Sequence, residues 1–67
     1  MEIGLRLAGR VKAMRRERGW SQEELAHRAG LHRTFISQVE RAVKNTTLYS
    51  VEKIAKALDV KIGDLVD

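Results

Sequence analysis

Residues 21–41 read SQEELAHRAGLHRTFISQVER, and this stretch decides the fold. It divides near Gly30 into two short helical segments joined by a tight turn, the second carrying a polar face unsuited to any core. A helix displayed outward on such a unit is how a small protein presents side chains to a DNA major groove.

The start of the first of these two helices is marked three times. Ser21 is a preferred N-cap, Glu24 stands at N3 to complete a capping box, and Trp20 at N′ can pack on Leu25 at N4 as a hydrophobic staple. Glu24 and Arg28 are spaced i, i+4 in the favourable order, and Gly30 occupies the position where a left-handed residue ends a helix. The spacing predicts a helix over 21–28.

In the next helix, an advance of about 100° per residue from Arg33 places Ile36, Val39 and Phe35 at roughly 200–300°, facing inward. Thr34, Ser37, Gln38 and Arg41 fall at roughly 40–140°, with Arg33 at the edge of the first turn. A solvated helix face usually pairs Glu with Lys, whereas this arc is acid-free. Carboxylates would repel phosphate, while Arg fits the O6/N7 edge of guanine, Gln the N6/N7 edge of adenine, and Thr or Phe a thymine methyl. A plain solvent-facing surface is the competing reading. Glu40 lies near 340°, towards the buried side, and needs a cation there. Arg15, at the end of the preceding long helix, is the candidate partner in a structural pair that locks the first and third helices.

Outward from this unit the chain continues as helices and short turns. Ile3, Leu7, Val11 and Met14 recur at helical spacing over residues 3–18, with Arg6, Arg10, Lys12, Arg16 and Arg18 on the surface until Gly19 ends the segment. Leu48, Val51, Ile54, Ala55 and Leu58 form a clear apolar stripe, with residues 45–47 as loop and cap and Lys53 and Lys56 facing outward. Ile62 and Leu65 suggest a short last helix after a turn at Asp59 and Val60, with Gly63 and the poor cap Lys61 arguing for modest order. The expected fold is all-α: five helices and no strands.

Sixty-seven residues make one domain, 1–67, with a compact core and a thin margin of stability. There is no Cys, and His27 and His32 lack the companions a metal site requires, so no cofactor or metal is expected. No apolar stretch is long enough for a signal peptide or membrane span, which points to the cytoplasm. Charge is polarised: residues 1–44 hold ten Lys/Arg against five Asp/Glu, whereas residues 45–67 hold three against four. That asymmetry suggests a polyanion on one side and something else, such as a twin subunit, on the other. An enzyme is disfavoured. Neither His has a nucleophile or acid beside it in a convincing pattern, Glu23 and Glu24 diverge on a helix, and no phosphate-binding glycine loop is present. A protein-interaction domain of the same fold predicts binding indifferent to DNA sequence, and RNA binding would call for more exposed aromatics than Trp20, Phe35 and Tyr49.

Arg15, then residues 19–26, 29–31, 36–37 and 40–41, and finally Leu48 and residues 54–58, together resemble the Cro/CI-type (XRE) helix-turn-helix family. Residues 31–37, 39–41 and Asn45 look most like the controller proteins of restriction–modification systems. The resemblance implies a compact five-helix, lambda-repressor-like DNA-binding domain with the helix-turn-helix at helices two and three. It would act as a homodimeric, sequence-specific regulator of transcription on a symmetric double-stranded operator. Carried over position by position, Arg33, Thr34, Phe35, Ser37 and Gln38 read bases, and Ser21, Gln22, His32, Arg41, Lys44 and Asn45 meet phosphates. Arg15 and Glu40 form the structural salt bridge, while Leu58, Val60, Ile62 and Leu65 lie at the dimer interface, with RNA polymerase as a further partner. A prophage repressor or an antitoxin of the same fold is the alternative. Phe35 stands where controller-like sequences often carry Tyr, which removes a polar base contact. His32 replaces a stronger N-cap, Ala42 and Val43 stand where many relatives have Gly, and Lys61 replaces a common Ser.

Overall fold

The computed structural model describes residues 3–43 and 46–66. Five helices follow one another in it: α1 (Ile3–Glu17), α2 (Gln22–Ala29), α3 (Arg33–Glu40), α4 (Leu48–Leu58) and α5 (Ile62–Val66). Among the described residues there is no strand. One core joins all five. Leu7 and Val11 of α1, Leu25, Ala26 and Ala29 of α2, Ile36 and Val39 of α3, Val51, Ile54, Ala55 and Leu58 of α4, and Leu65 of α5 form a single buried cluster. Met14, Trp20, Leu31 and Phe35 are among the residues packed on its margin. The apolar spacing in each helix produces this result directly, because residues three and four apart share a face.

The first four helices end in the same way. Each closes with a left-handed residue whose N–H and whose successor's N–H return to carbonyls of the last turn, the Schellman arrangement. Gly19 (φ 72°) and Gly30 (φ 69°) do this after α1 and α2, Ala42 (φ 56°) and Asp59 (φ 59°) after α3 and α4. The returning bonds are Trp20 N to Arg15 O, Leu31 N to Ala26 O, Val43 N to Gln38 O and Val60 N to Ala55 O, all 2.9–3.1 Å. Glycine takes this conformation without a steric penalty. Ala42 carries a Cβ there, at a cost of about 1 kcal/mol.

Two arginines expected on the open surface tie the helices together instead. Arg18 donates through Nη1 to the Met14 carbonyl and through Nη2 to the Leu58 carbonyl, so one guanidinium satisfies exposed ends of α1 and α4. Arg10 donates to the Asp64 carbonyl at 2.8 Å and fastens α5 to α1. The last helix is capped despite the poor capping type of Lys61. Asp64, at N3, accepts from the Lys61 backbone N–H at 3.0 Å, so the cap is supplied from inside the helix. Leu65 is fully buried.

Candidate nucleic-acid interface

The site is built on the α2–α3 unit. Ser21 precedes α2 in extended conformation, and its hydroxyl oxygen accepts from the Glu24 N–H at 3.0 Å. The capping box is one-sided, because the Glu24 carboxylate reaches forward to Arg28 Nε at 2.7 Å. Arg28 in turn lies 4.2 Å from the Trp20 ring centroid, with Arg18 at 5.8 Å. Trp20 is half-buried against the core that contains Leu25. The chain direction into α2 is thus set by a cap, an ion pair and an aromatic ring with two cations near it.

The Schellman turn at Gly30 then delivers the chain to α3. Its N-cap is His32, extended, with no side-chain capping bond. Ile36 and Val39 are buried, and Phe35 is half-buried against the core, so only part of its ring faces outward. Arg33, Thr34 and Arg41 are exposed, and Ser37 and Gln38 are half-exposed. Arg41 Nε makes one long bond back to the Ser37 carbonyl at 3.4 Å. The side chains of Arg33, Thr34 and Gln38 form no hydrogen bond to another described residue. Arg33, Thr34, Ser37 and Gln38 lie on one arc of α3, Arg41 caps its end, and none carries negative charge.

Behind that arc, Arg15 meets Glu40 in a two-point pair: Nε to Oε2 at 2.7 Å and Nη2 to Oε1 at 2.9 Å. Arg15 also donates to the Trp20 carbonyl at 2.7 Å. The hydrogen bond to Glu40 outweighs burial and holds the guanidinium pKa above its usual range, so Arg15 is charged at every working pH. Both side chains are nearly covered, at 10% and 3% exposure. Gln22 joins them through Nε2, which donates to Glu40 Oε1 at 3.2 Å.

The structure therefore brings Ser21, Gln22, Arg33, Thr34, Ser37, Gln38 and Arg41 onto one unit and seats Arg15 and Glu40 behind it. Lys44 and Asn45 lie outside the described residues. Of the residues expected at a subunit contact, Leu58 and Leu65 are fully buried in the chain's own core, whereas Val60 and Ile62 are half-buried. Arg18 and Arg10 were missed as structural residues because their acceptors are backbone carbonyls, which no residue type advertises. Among the described residues no group of three or more His, Cys, Asp or Glu could hold a metal ion. No described helix is long and apolar enough to cross a membrane.

Capped α2, a left-handed turn and an outward α3 define a helix-turn-helix unit. The chain belongs to the helix-turn-helix family HTH_3, whose pattern covers residues 11–65. It is 53% identical over 47 residues to the control protein C.BamHI of Bacillus amyloliquefaciens, a match spanning 70% of this chain and 58% of that protein. The restriction–modification controller protein C.AhdI of Aeromonas hydrophila has a similar crystal structure, with TM-score 0.89, 35% identity and coverage of 92% of this chain and 94% of that one. So has SinR, a master regulator for biofilm formation, in complex with DNA, with TM-score 0.86, 35% identity and coverage of 91% and 98%. The chain is thus a member of a transcriptional-regulator family with controller relatives, and it spans less than two thirds of the C.BamHI control protein's length.

Proposed function

We propose that the protein is a sequence-specific double-stranded-DNA-binding regulator of transcription, acting as a homodimer in the manner of a restriction–modification controller. The observation that carries this reading is the outward arc of α3, where the side chains of Arg33, Thr34 and Gln38 form no hydrogen bond to another described residue and none is a carboxylate, while the helix's other face is sealed into the core. The similarity to a controller protein and to a regulator crystallised with DNA supports it.

With α3 in the major groove, the Arg33 fork suits a guanine edge and Gln38 an adenine, and Thr34 or the outer edge of Phe35 suits a thymine methyl. Ser37 supplies a short donor or acceptor to either. Gln22, His32, Arg41, Lys44 and Asn45 meet phosphates, as does Ser21, whose hydroxyl proton remains available while its oxygen caps α2. A twofold pair of such units places half-sites about 34 Å apart. Val60 and Ile62 are the residues left to contribute to a subunit contact, the function belongs in the cytoplasm, and RNA polymerase is a further partner.

Selection of bound duplexes from a random pool tests this reading, with recovery of a symmetric site expected and a pool without preference fatal to it. On the recovered site, Arg33→Ala is expected to weaken binding by about 1–3 kcal/mol and to relax preference at one base pair. A mobility-shift series over single-base variants with an unchanged preference profile would remove Arg33 from the reading set.

A further inference from the structure

The Glu40 carboxylate sits at the meeting point of three helices. From α1 it receives two of the three donating nitrogens of Arg15, and from the first residue of α2 it receives Gln22 Nε2. An ionised carboxylate only accepts hydrogen bonds, so the Gln22 amide must turn its nitrogen, not its oxygen, towards Glu40. That fixes the amide's orientation. The nitrogen carries two hydrogens, and the bond to Oε1 uses one. Gln22 also opens α2, where leading backbone N–H groups lack intrahelical partners and the helix dipole is positive.

Resting on the reading of this surface as DNA-binding, we infer that Glu40 is a positioning residue for Gln22: by holding the amide nitrogen it keeps the remaining N–H available to a DNA phosphate. An amide free to rotate would spend part of its time presenting its oxygen, which repels phosphate. Glu40 excludes that orientation. The charge of Arg15 offsets that of Glu40, so the positioning group adds no net negative charge beside the phosphate. Because Glu40 belongs to α3, the same contact keeps the phosphate anchor on α2 in register with the base-reading arc. Glu40 touches no DNA in this arrangement and acts only through Gln22.

A double-mutant cycle on affinity tests the inference, using a duplex recovered by selection and a scrambled duplex of the same length. Gln22→Ala in the native chain is expected to weaken both by roughly tenfold, the value of one hydrogen bond to a charged acceptor. In a Glu40→Gln background, where the new amide no longer dictates which end of Gln22 faces it, the same change is expected to cost less than about twofold. Since Glu40→Gln strands a covered guanidinium and could unfold the chain, the paired change Arg15→Met with Glu40→Met supplies a second background, its fold checked by circular dichroism. An equal tenfold cost of Gln22→Ala in every folded background would overturn the positioning role while leaving the DNA-binding reading intact. Native protein that binds neither duplex would sink the reading and the inference together. A Glu40 that merely held helices together would lower stability without making Gln22→Ala silent.

Discussion

Helices α2 and α3 are equal in length and adjacent in the chain, yet they are stabilised in opposite ways. α2 satisfies itself: Ser21 caps its start, Glu24 pairs with Arg28, Arg28 covers Trp20, and Gly30 ends it without strain. α3 does almost none of this. Its N-cap forms no side-chain bond, its first turn carries no acid and its last no base, and it closes on an alanine in a glycine's conformation. What holds α3 is tertiary: Ile36 and Val39 in the core, and Glu40 gripped by Arg15. The difference teaches how a helix can keep most of an outward face uncommitted. Its stability comes from the inward side, leaving Arg33, Thr34 and Gln38 without a hydrogen bond to any other described residue.

The largest expected effect breaks that tertiary hold. Glu40→Ala leaves Arg15 covered and unpaired and should cost about 3–5 kcal/mol in denaturant unfolding. A loss below about 1 kcal/mol would show that α3 does not depend on the pair. A smaller contrast sharpens the comparison at the two helix starts. Ser21→Ala should cost about 1 kcal/mol, while His32→Ala, which removes no capping bond, should stay within about 0.5 kcal/mol. Equal losses would mean that α2 and α3 start alike. The smallest effect concerns the helix ends. Ala42→Gly should raise stability by about 0.5–1 kcal/mol by relieving a positive φ, whereas Gly30→Ala should lower it by about 1 kcal/mol. Thermal unfolding of the two variants side by side would expose any failure of that opposition.

Much of this architecture is written in local patterns, and the exceptions share a cause. The N-terminal signals at Ser21 and the stops at Gly19 and Gly30 are carried by residue types with strong backbone preferences. The same turn at Ala42 and Asp59 is imposed by the surrounding helices on residues that do not advertise it. The inward and outward faces of α3 follow from helical spacing, as does the turn of Glu40 towards Arg15. The bond from Gln22 to Glu40 spans 18 positions and depends on how α2 crosses α3, which no local pattern specifies. Leu58 and Leu65 illustrate the converse. Apolar residues near the C-terminus suit a subunit contact or a core equally well in sequence, and only the packing of α5 on α1 and α4 assigns them to the core.

The indole of Trp20 is the only one in the chain, and it sits with the guanidinium groups of Arg18, just past α1, and of Arg28 in α2 near its ring. Its emission is therefore tied to the joint between those helices and to no other place. Loosening of that joint, whether by heat, by loss of Arg28 or by a ligand settling at the head of α2, would alter the polarity around a single intrinsic fluorophore. The unlabelled protein thus carries a local optical gauge of the packing where α1 meets α2.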